Sequence, residues 1–341
     1  MESQVPWVVW YVVNRCNLHC TYCFTHSSPH TFGPLDTTQL LSIAHKLGRS
    51  NAVVVTLEGG EPLIVSDLPL IVNTLANYGK KVRMYTNGIG LSKLFGETLP
   101  RMDRVTISFD DVREDKHNEQ RGGYKQVVEA IEFLSKQQVP FGAVMMVTPR
   151  NYDGIFATGK YLISQGCKFV SMGPARPVGR GISDLIALDK YQSKLVVEQV
   201  LRLHQTFGDE AEIKLSGIYD KQLFISGITG TLPSCMCGEV KFTVNYDGFI
   251  YPCSNLPYVY TKDDISKHFG ELPNLLNCSL EDAYNSPLMK NWREVVYQYP
   301  YECNSCTFRL YCNSGCRALN YQAFDSFEHK DPNCHFDIQG E

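Results

Sequence analysis

Cysteine placement constrains this chain of 341 residues more than any other feature, because twelve of its thirteen cysteines fall into two groups. Three lie within the first 23 residues, nine follow residue 234, and only Cys167 stands between the groups. Residues 1–4 lack the basic and apolar regions of a secretory signal peptide, so we do not expect secreted disulfides. In a reducing compartment, clustered cysteines indicate metal sites. We therefore expect a cytoplasmic protein with metal sites in both groups.

Apolar strand-like segments alternate with amphipathic helical segments between the two groups. The predicted strands are Trp7–Val13, Ala52–Leu57, Lys81–Tyr85, Val105–Phe109, Phe141–Val147 and Phe169–Met172. The predicted helices are Thr37–Gly48, Leu68–Tyr78, Tyr124–Gln138, Phe156–Gln165 and Leu188–His204. This alternation predicts βαβ units with a parallel sheet, and six repeats predict an α/β fold with a partial barrel or an open wound sheet.

The segments that follow the predicted strands should share one rim of the sheet. Active sites of parallel α/β folds lie at the carboxyl ends of their strands. The segments concerned are Cys16–Cys23, Glu58–Pro62, Thr86–Gly88, Ser108–Asp111 and Gly173–Arg180. We therefore expect the chemistry of this protein at that rim.

The first of these segments carries Cys16, Cys20 and Cys23 in the spacing C-x3-C-x2-C. One loop with this spacing can place three thiolates around one face of an iron–sulfur cluster, which normally has four cysteine ligands. The remaining iron would then be open to chemistry. A zinc knuckle completed by His19 or His26, or three buried thiols, is the alternative that these residues leave open.

These three cysteines, with the aromatic Tyr22 before the last of them, resemble the cluster-binding loop of the radical S-adenosylmethionine (SAM) enzymes. The resemblance implies a partial (β/α)6 barrel and a [4Fe–4S] cluster whose open iron binds the amino and carboxylate groups of SAM. It also implies that one electron splits SAM into methionine and a 5′-deoxyadenosyl radical, which abstracts a substrate hydrogen atom. Tyr22 is accordingly a candidate contact of the cofactor.

Two further rim segments resemble SAM-binding motifs of this family. Gly59-Gly60-Glu61-Pro62 is similar to the GGEP motif, which implies that main-chain carbonyls hold the SAM ammonium group. Glycines allow such a close approach of the backbone. Ser108 and Asp110 resemble residues near the SAM ribose, and a hydroxyl and a carboxylate suit ribose hydroxyls. The family's usual glycine after that aspartate is replaced here by Asp111.

Three more polar residues on the rim are candidate SAM contacts. Asn87 is one, although an Asn-Gly pair also makes an ordinary turn. Arg176 or Arg180 would pair with the SAM carboxylate, because the arginine fork suits bidentate carboxylate binding. The alternative for either arginine is a solvated side chain.

The second cysteine group is similar to the SPASM extension that some radical SAM enzymes carry. The seven cysteines of that signature are Cys237, Cys253, Cys303, Cys306, Cys312, Cys316 and Cys334. The resemblance implies two auxiliary [4Fe–4S] clusters, for a total of three. Cys237, Cys253 and Cys316 would bind the first, with Cys235 as a candidate fourth ligand, and Cys303, Cys306, Cys312 and Cys334 would bind the second. Without Cys235, the first auxiliary cluster would have an open iron.

The strand–helix alternation fades between residues 206 and 231, so we place a soft domain boundary there. The predicted domains are a barrel at 1–210 and a small cysteine-rich SPASM domain at 211–341. The segment Phe242–Tyr251 predicts a β-hairpin that turns at Asp247-Gly248. Cys167 and Cys278 fall outside the cysteine signature. They are either buried thiols or hydrogen donors to a substrate radical, as an epimerase requires.

The sequence favours an enzyme that modifies a residue of a ribosomally made peptide, since SPASM enzymes mostly do so. The products would be a cross-link, a dehydrogenated residue or an inverted stereocentre. Only fifteen residues precede Cys16, so we expect either that a separate protein recognises the leader peptide or that the substrate binds without such recognition, and we expect flavodoxin or ferredoxin to donate electrons. The net charge of −4 favours neither nucleic acid nor an anionic membrane as a partner. No apolar run reaches the roughly 18 residues of a membrane span.

Three alternatives remain open at this point. The first is sulfatase-maturase-type oxidation of a protein Cys or Ser. In those enzymes an Asp that acts as the base occupies the position of Ser254, and a serine makes a poor base. The second is dehydrogenation or epimerisation of a small molecule such as an aminoglycoside-type sugar. The third is a non-catalytic electron carrier or zinc scaffold, which would not need Gly59–Pro62 or the other rim residues.

Overall fold

The computed structural model describes residues 7–31, 33, 35–94, 96, 98–182, 186–228, 235–332 and 334. Its strands are β1 Trp7–Val13, β2 Val54–Gly59, β3 Lys81–Thr86, β4 Arg104–Ser108, β5 Phe141–Val147, β6 Cys167–Pro174, β7 Glu212–Leu215, β8 Lys241–Val244 and β9 Ile250–Tyr251. Its α-helices are α1 Thr37–Arg49, α2 Leu68–Asn77, α3 Glu114–Gln120, α4 Tyr124–Lys136, α5 Ile155–Ser164, α6 Lys190–Phe207, α7 Lys221–Ile225, α8 Leu256–Val259, α9 Lys262–Phe269, α10 Leu280–Tyr284, α11 Pro287–Tyr297, α12 Arg309–Cys312 and α13 Arg317–Phe324.

The strands form one sheet in the order β7-β6-β5-β4-β3-β2-β1-β8-β9. Every neighbouring pair is parallel except β8 and β9, which are antiparallel. Because β7 and β9 end the sheet without pairing to each other, it is an open partial barrel, and the predicted α/β fold is confirmed. The six predicted strands all form.

Three strands, β7, β8 and β9, join the sheet beyond the six predicted for the barrel. β7 pairs with β6 through Phe169–Met172 and Glu212–Leu215, so the sheet continues past residue 210. Its four residues alternate between exposed and buried, which is too short a pattern to stand out in the sequence. The predicted hairpin also forms, but its first strand lies beside β1 and extends the same sheet.

The two faces of the sheet have different chemistry. Val8 and Trp10 of β1, like Val55 and Leu57 of β2, belong to the large apolar core under the helices. The alternate residues face the lumen, where the indole of Trp7 donates to the Thr56 hydroxyl at 2.8 Å. Strand residues on the lumen side include Tyr11, Glu58, Arg83, Tyr85, Arg104, Thr106, Ser108, Phe169, Lys241 and Thr243. The barrel therefore has an apolar outer layer and a polar lumen.

Side-chain caps fix where the long helices begin. Asp36 accepts from the amide of Gln39 at 2.9 Å, and the Gln39 side chain accepts from the Asp36 amide at 3.1 Å. Asp189 and Gln192 form the same capping box before α6. Each box satisfies amide groups that the first helical turn leaves unpaired. No helix in the described parts of the chain is long and apolar enough to cross a membrane.

Residues 235–332 form a compact layer of short helices after the hairpin. Trp292 is fully buried at its centre and donates to the carbonyl of Cys237 at 3.0 Å. Phe269 and Phe327 meet the Trp292 ring edge-on at 5.4 and 6.2 Å. This aromatic cluster is the apolar core around which the second cysteine group is arranged.

Candidate active site

The cysteine loop leaves β1 at the rim and is tied to itself by main-chain bonds. The amide of Cys16 donates to Ser28 at 3.1 Å, and that of Cys23 donates to the Cys20 carbonyl at 3.3 Å. All three thiols are half-buried. Burial raises the pKa of the Cys16 thiol to about 12 and also raises the pKa of Cys20, and the neighbouring thiols push both in the same direction. The three thiols therefore face one common space.

Three thiols that oppose each other's ionisation bind a metal as thiolates and release their protons. Within the described residues, no group of three or more His, Cys, Asp and Glu side chains is spaced to hold a single metal ion. In an iron–sulfur cluster each thiolate binds a different iron, so its ligands lie further apart than those of one ion. The donor set of the loop thus fits a cluster.

Two glycines let the end of β2 approach the cysteine loop. A Cβ on Gly59 would overlap the carbonyl oxygen of Val13, and one on Gly60 would overlap that of Arg15. Gly59 also has φ +133°, a backbone conformation that favours glycine. The Gly60 amide donates to Val13 at 2.7 Å, and the Glu61 amide donates to Arg15 at 3.0 Å. The predicted contact of their carbonyls with SAM stays a prediction.

Glu61 links the second and third rim segments. Its buried carboxylate accepts from the Thr86 hydroxyl at 2.6 Å, the Asn87 amide at 2.7 Å and the Leu63 amide at 3.0 Å. Pro62 follows as the first residue of a 3-10 turn. Both carboxylate oxygens are engaged within the protein, so Glu61 holds the rim in shape instead of presenting a free charge to SAM.

Asn87 and Ser108 remain available to a ligand to different degrees. The Asn87 side chain is buried and donates to the Asn17 side chain in the cysteine loop at 2.7 Å. Ser108 is half-buried at the carboxyl end of β4, on the lumen side. Asn87 therefore acts through the loop, and Ser108 keeps the exposure that a ribose contact requires.

Asp110 belongs to a buried network that braces the cysteine loop. It accepts a hydrogen bond from the Tyr22 hydroxyl, from the Met146 amide at 3.0 Å and from Arg121 Nε at 3.1 Å. Its side chain is fully buried. Arg121 Nη2 also donates to it at 3.4 Å, so both carboxylate oxygens and the Tyr22 hydroxyl are engaged within the protein, and the contact of Asp110 or Tyr22 with SAM stays a prediction.

Sequence reasoning missed Arg121. Its guanidinium lies 5.6 Å from the centre of the Tyr22 ring, and its charge acts to lower the pKa of Cys20. Its side chain is only 9% exposed, so the charge is weakly screened. Arg121 follows the polar helix α3, which lacks an apolar periodicity, and only the pairing with Asp110 reveals it.

The loop after β6 connects both cysteine groups. The Arg180 side chain donates to the Cys20 carbonyl at 2.8 Å, and its amide donates to Cys23 at 3.0 Å. Arg176, four residues earlier, is half-buried, and burial acts against its charge. The thiols of Cys316, Cys253 and Cys237 nevertheless raise its pKa. Arg180 therefore bonds to the front loop, Arg176 lies near thiols of the second group, and a contact of either one with the SAM carboxylate stays a prediction.

Cys167 and Cys278 lie at the opposite end of the barrel from the rim. Cys167 begins β6, is 1% exposed and donates to the Phe169 carbonyl at 3.2 Å. Cys278 lines a cavity of about 450 Å³ with Lys46 and Ala52, which lie before β2. Neither thiol lies at the rim, and a hydrogen-donor role for either of them stays a prediction.

The structure brings the first auxiliary set together. Cys237 shares side-chain hydrogen bonds with Cys235 and Cys253, and the bond to Cys235 is the main cause of a Cys237 pKa of about 12. Cys316 lies close to Cys253, whose charge opposes its ionisation. Cys235 thus stands with Cys237, where a fourth ligand is needed. Its ligation stays a prediction.

The cysteines of the second auxiliary set lie before and after Cys316 in the sequence, and Cys316 belongs to the first set. Burial raises the pKa of Cys312 to about 12, with contributions from Cys334 and Cys303. Cys303 in turn lies close to Cys306. Asp331 joins the two sets, because it accepts from the Cys316 amide at 2.6 Å and its carbonyl accepts from the Cys334 amide at 2.9 Å.

The lumen beneath the front loop contains the carboxylate of Glu58 among hydroxyl groups and other polar side chains. Glu58 of β2 is in register with Tyr11 of β1. Burial raises the pKa of Glu58 to about 6, against the effect of Lys241 on β8. Burial and the Glu58 charge together raise the pKa of Tyr85 to about 12. A carboxylate that titrates near neutrality therefore faces the interior at the level of the rim.

The domain content of the chain agrees with this geometry. The model of the radical SAM superfamily matches residues 10–161, and that of the SPASM iron–sulfur cluster-binding domain matches residues 235–307. The chain belongs to the radical SAM superfamily and carries a SPASM domain. It is a SAM-dependent iron–sulfur enzyme, and its cofactors are SAM and [4Fe–4S] clusters. The cysteine loop with one unfilled ligand position, and the two interleaved sets of the tail, supply the donors that these clusters need.

This radical SAM protein is similar to several characterised relatives. The sporulation killing factor maturation protein SkfB of Bacillus subtilis is 23% identical over 276 residues, 79% of this chain and 66% of SkfB. An AdoMet-dependent heme synthase of Methanosarcina barkeri is 24% identical, over 98% of this chain and 97% of the synthase. Streptococcus suis SuiB, bound to its precursor peptide SuiA, has the same fold, with a TM-score of 0.77 and 16% identity over 98% of this chain and 77% of SuiB. The chain thus spans about two thirds of the length of SkfB.

Proposed function

We propose that this radical SAM/SPASM enzyme abstracts hydrogen from a residue of a ribosomally made peptide, and that the product is a cross-link, a dehydrogenated residue or an inverted stereocentre. The observation that carries the proposal is the position of the lumen between two cysteine sets. Phe24 of the front loop packs on Tyr258 at 5.5 Å and on Tyr11 at 6.4 Å. Tyr11 also lies close to Cys253 of the first auxiliary set. A side chain that enters the lumen reaches both sets.

The residues of the front loop define where the reaction starts. Cys16, Cys20 and Cys23 would hold the cluster, which together with SAM would supply the chemistry that removes one hydrogen atom from the substrate. Asp110 holds the loop through the Tyr22 hydroxyl, and the Glu61 amide donates to the Arg15 carbonyl at the start of the loop. The rings of Tyr11, Phe24 and Tyr258 pack against one another beside the lumen.

Glu58 is placed to take the second hydrogen of the substrate as a proton. A dehydrogenation or cross-link removes two hydrogens, one as an atom and one as a proton, and the electron left behind would pass to an auxiliary iron–sulfur cluster held by the tail cysteines. Glu58 is the lumen carboxylate next to Tyr11 and Tyr85, and its pKa of about 6 suits a general base near neutral pH. Ser254 bonds to the Thr243 hydroxyl at 2.8 Å and brings no charge, which weakens the sulfatase-maturase alternative.

The relatives support a peptide substrate and leave one competitor. SuiB is described with its precursor peptide, and SkfB matures the sporulation killing factor. The heme synthase, however, matches this chain from end to end. A small molecule is therefore the second candidate substrate. As partners we propose a separate leader-recognition protein and a flavodoxin or ferredoxin as the electron donor, with the reaction in the cytoplasm.

Mass spectrometry distinguishes these possibilities. Enzyme reconstituted without oxygen is given SAM, a strong reductant and the short peptide encoded beside its gene, in deuterated water. Loss of two hydrogens shows a cross-link or dehydrogenation, and gain of one deuterium alone shows epimerisation. An untouched peptide together with full cleavage of SAM would contradict the peptide proposal and favour the small molecule.

A further inference from the structure

The side chains that face the lumen from β3, β4 and β8 include three cations, Arg83, Arg104 and Lys241. Arg83 and Arg104 are directly in register on neighbouring strands, where like charges repel each other. Arg83 is neutralised, because its Nε pairs with the Asp103 carboxylate at 2.7 Å. The other two cations are the ones whose charge needs an explanation.

Arg104 and Lys241 form no ion pair with a carboxylate in the part of the chain that the structure describes. Each of these cations lies instead over an aromatic ring. The Arg104 guanidinium is 4.0 Å from the centre of the Phe169 ring, and Lys241 Nζ is 4.9 Å from that of Trp7. A ring face attracts a cation but brings no opposite charge. The two positive charges outweigh the negative charge of Glu58, so this part of the lumen favours an anion.

Arg104 is held in position and keeps hydrogen-bonding capacity. Gly142 is in register with both Thr106 of β4 and Phe169 of β6. A Cβ at Gly142 would lie only 3.1 Å from the Phe169 ring, so the missing side chain lets that ring reach across to Arg104. Arg104 Nε and the hydroxyl of Thr106, which is 0% exposed, are buried without a hydrogen-bond partner among the described residues. Such buried donors indicate that a polar group or water binds beside them.

The depth of Arg104 separates it from the rim. Thr106 is in register with Tyr85, which lies beside Glu58 on β2. Arg104 is two residues further from the rim than Thr106, which is roughly 7 Å along the strand. Ser108 at the rim is four residues from Arg104, or roughly 13 Å. An anion at Arg104 therefore belongs to a molecule that extends past Glu58 into the lumen.

We propose that Arg104 binds a carboxylate of the substrate, with the Thr106 hydroxyl beside it as a second donor. The planar guanidinium offers Nε and one Nη to the two oxygens of a carboxylate. A phosphate, with its higher charge, would meet stronger repulsion from Glu58. The carboxylate fixes how deep the substrate enters, and so which of its carbons lies at the level of Glu58.

The source of this carboxylate rests on the proposed function. In a peptide it is the side chain of an Asp or Glu, or the C-terminus. The roughly 7 Å between Arg104 and the level of Glu58 corresponds to about two residues of extended chain. The residue that reacts therefore lies within about two positions of the carboxylate.

Glutarate binding tests the site without any assumption about the peptide. Thermal unfolding of the reconstituted holoenzyme is followed with glutarate, with its neutral analogue glutaramide, and with potassium chloride at matched ionic strength. A ligand that binds the folded protein raises its Tm. We expect a larger rise with glutarate than with either control, and we expect this difference to be lost in Arg104→Gln and kept in Arg83→Gln. Arg83 is the matched control, because it is the in-register neighbour whose charge is already paired.

The short peptide encoded beside the gene identifies the carboxylate. Product formation is measured with the unmodified peptide, with its C-terminal amide, and with each Asp or Glu changed to Asn or Gln. Arg104→Gln should raise KM for the unmodified peptide at least about tenfold and leave kcat little changed, because substrate and transition state lose the same contact. The peptide that lacks the recognised carboxylate should show the raised KM with the wild-type enzyme, and Arg104→Gln should then add little.

Three results would overturn the proposal. The first is a Tm rise with glutarate that is no larger than with the controls, which would mean that the lumen binds only water. The second is an equal effect of glutarate on the wild type and on Arg104→Gln. The third is an unchanged KM of Arg104→Gln for a peptide that the enzyme modifies.

Two further outcomes are decided in advance. An untouched peptide together with an Arg104-dependent effect of glutarate supports the site and contradicts only the peptide proposal. If Arg104→Gln does not fold, Arg104→Lys takes its place, because lysine keeps the charge and loses the fork. A smaller effect of glutarate on Arg104→Lys than on the wild type then supports the proposal, and an equal effect overturns it.

Discussion

The front loop and the SPASM domain both bind clusters through cysteines, but they organise them in opposite ways. Cys16, Cys20 and Cys23 come from one short loop, which is held from outside by Glu61, Asp110 and the loop that carries Arg180. The tail cysteines are spread over residues 235–334 and interleave, so the clusters themselves tie the chain together. An open, reactive cluster site therefore needs support from the surrounding protein, whereas a fully ligated cluster can itself hold its ligand segments together.

Removal of one cysteine ligand from the front loop is the change with the largest expected effect. Cys20→Ala should abolish 5′-deoxyadenosine formation, by about 10³-fold or more, because the open-iron cluster no longer assembles. The fold and the tail clusters should remain, since the front loop is braced from outside. Anaerobic assays of 5′-deoxyadenosine with iron analysis and circular dichroism check this. Undiminished 5′-deoxyadenosine would contradict the assignment of the loop.

Removing one tail ligand should have a different consequence. Cys306→Ala should lower solubility and remove about four irons per chain, because the second auxiliary cluster links distant parts of the domain. Thermal unfolding followed with iron analysis measures both effects. Cys278→Ala is the matched control outside the signature, and it should keep its iron. A well-folded Cys306→Ala protein with the iron content of the wild type would show that this cluster does not hold the SPASM domain together.

Substitution of Glu58 should impair proton removal from the substrate and leave radical formation intact. Glu58→Gln should reduce product formation by about 10²–10⁴-fold and keep 5′-deoxyadenosine formation, since the amide cannot accept a proton. With a pKa of about 6, Glu58 is protonated and inactive at lower pH, so wild-type product formation should rise as the pH increases through that value and then level off. Product and 5′-deoxyadenosine are quantified together from pH 5 to 8.

A different result would reassign this residue. If Glu58→Gln only weakens substrate binding, with the rate at saturation and its pH profile unchanged, the carboxylate recognises the substrate and is not a base. Tyr85→Phe, a neighbour on the same lumen surface, serves as the control for packing, and it should keep the pH-dependent rise.

The external brace can be tested through its buried ion pair. Asp110→Asn weakens the pair with Arg121, and breaking a buried pair costs about 3–5 kcal/mol of unfolding free energy at most. The loosened loop should lower 5′-deoxyadenosine formation by about 10–100-fold. Asp153→Asn is the control, because Asp153 is 55% exposed in its pair with Arg113 and should cost at most about 1 kcal/mol. Equal losses of activity in both variants would show that the ion pair of Asp110 and Arg121 does not support the front loop.

The strands that carry the rim could be predicted because their apolar runs are long. Trp7–Val13 and Phe141–Val147 form as expected from their β-branched and aromatic residues. β7 was missed, since its four residues alternate and its strand character depends on pairing with β6. The position of β8 beside β1 is a long-range contact that no local pattern contains.

The residues of the candidate site whose spacing is fixed by ligand chemistry could be predicted. The residues whose roles depend on side-chain packing were harder to predict. The cysteines and the paired glycines were visible, because thiolate geometry and close backbone approach demand those residues at those positions. The roles of Glu61 and Asp110 were not, because a carboxylate in a motif looks the same whether it meets a ligand or a buried partner. Arg121 and Glu58 were missed for the same reason, since only the folded chain shows their neighbours.

We predict that the front cluster has an open iron and that the tail clusters, with Cys235 as a ligand, do not. This central claim is tested most directly by adding SAM to the reduced enzyme and recording electron paramagnetic resonance spectra, with and without Cys16→Ala, Cys20→Ala and Cys23→Ala combined. The account predicts that SAM changes the spectrum of the wild-type enzyme and leaves that of the triple variant unchanged. A SAM-dependent change that persists in the triple variant would place an open iron in the tail and contradict the claim.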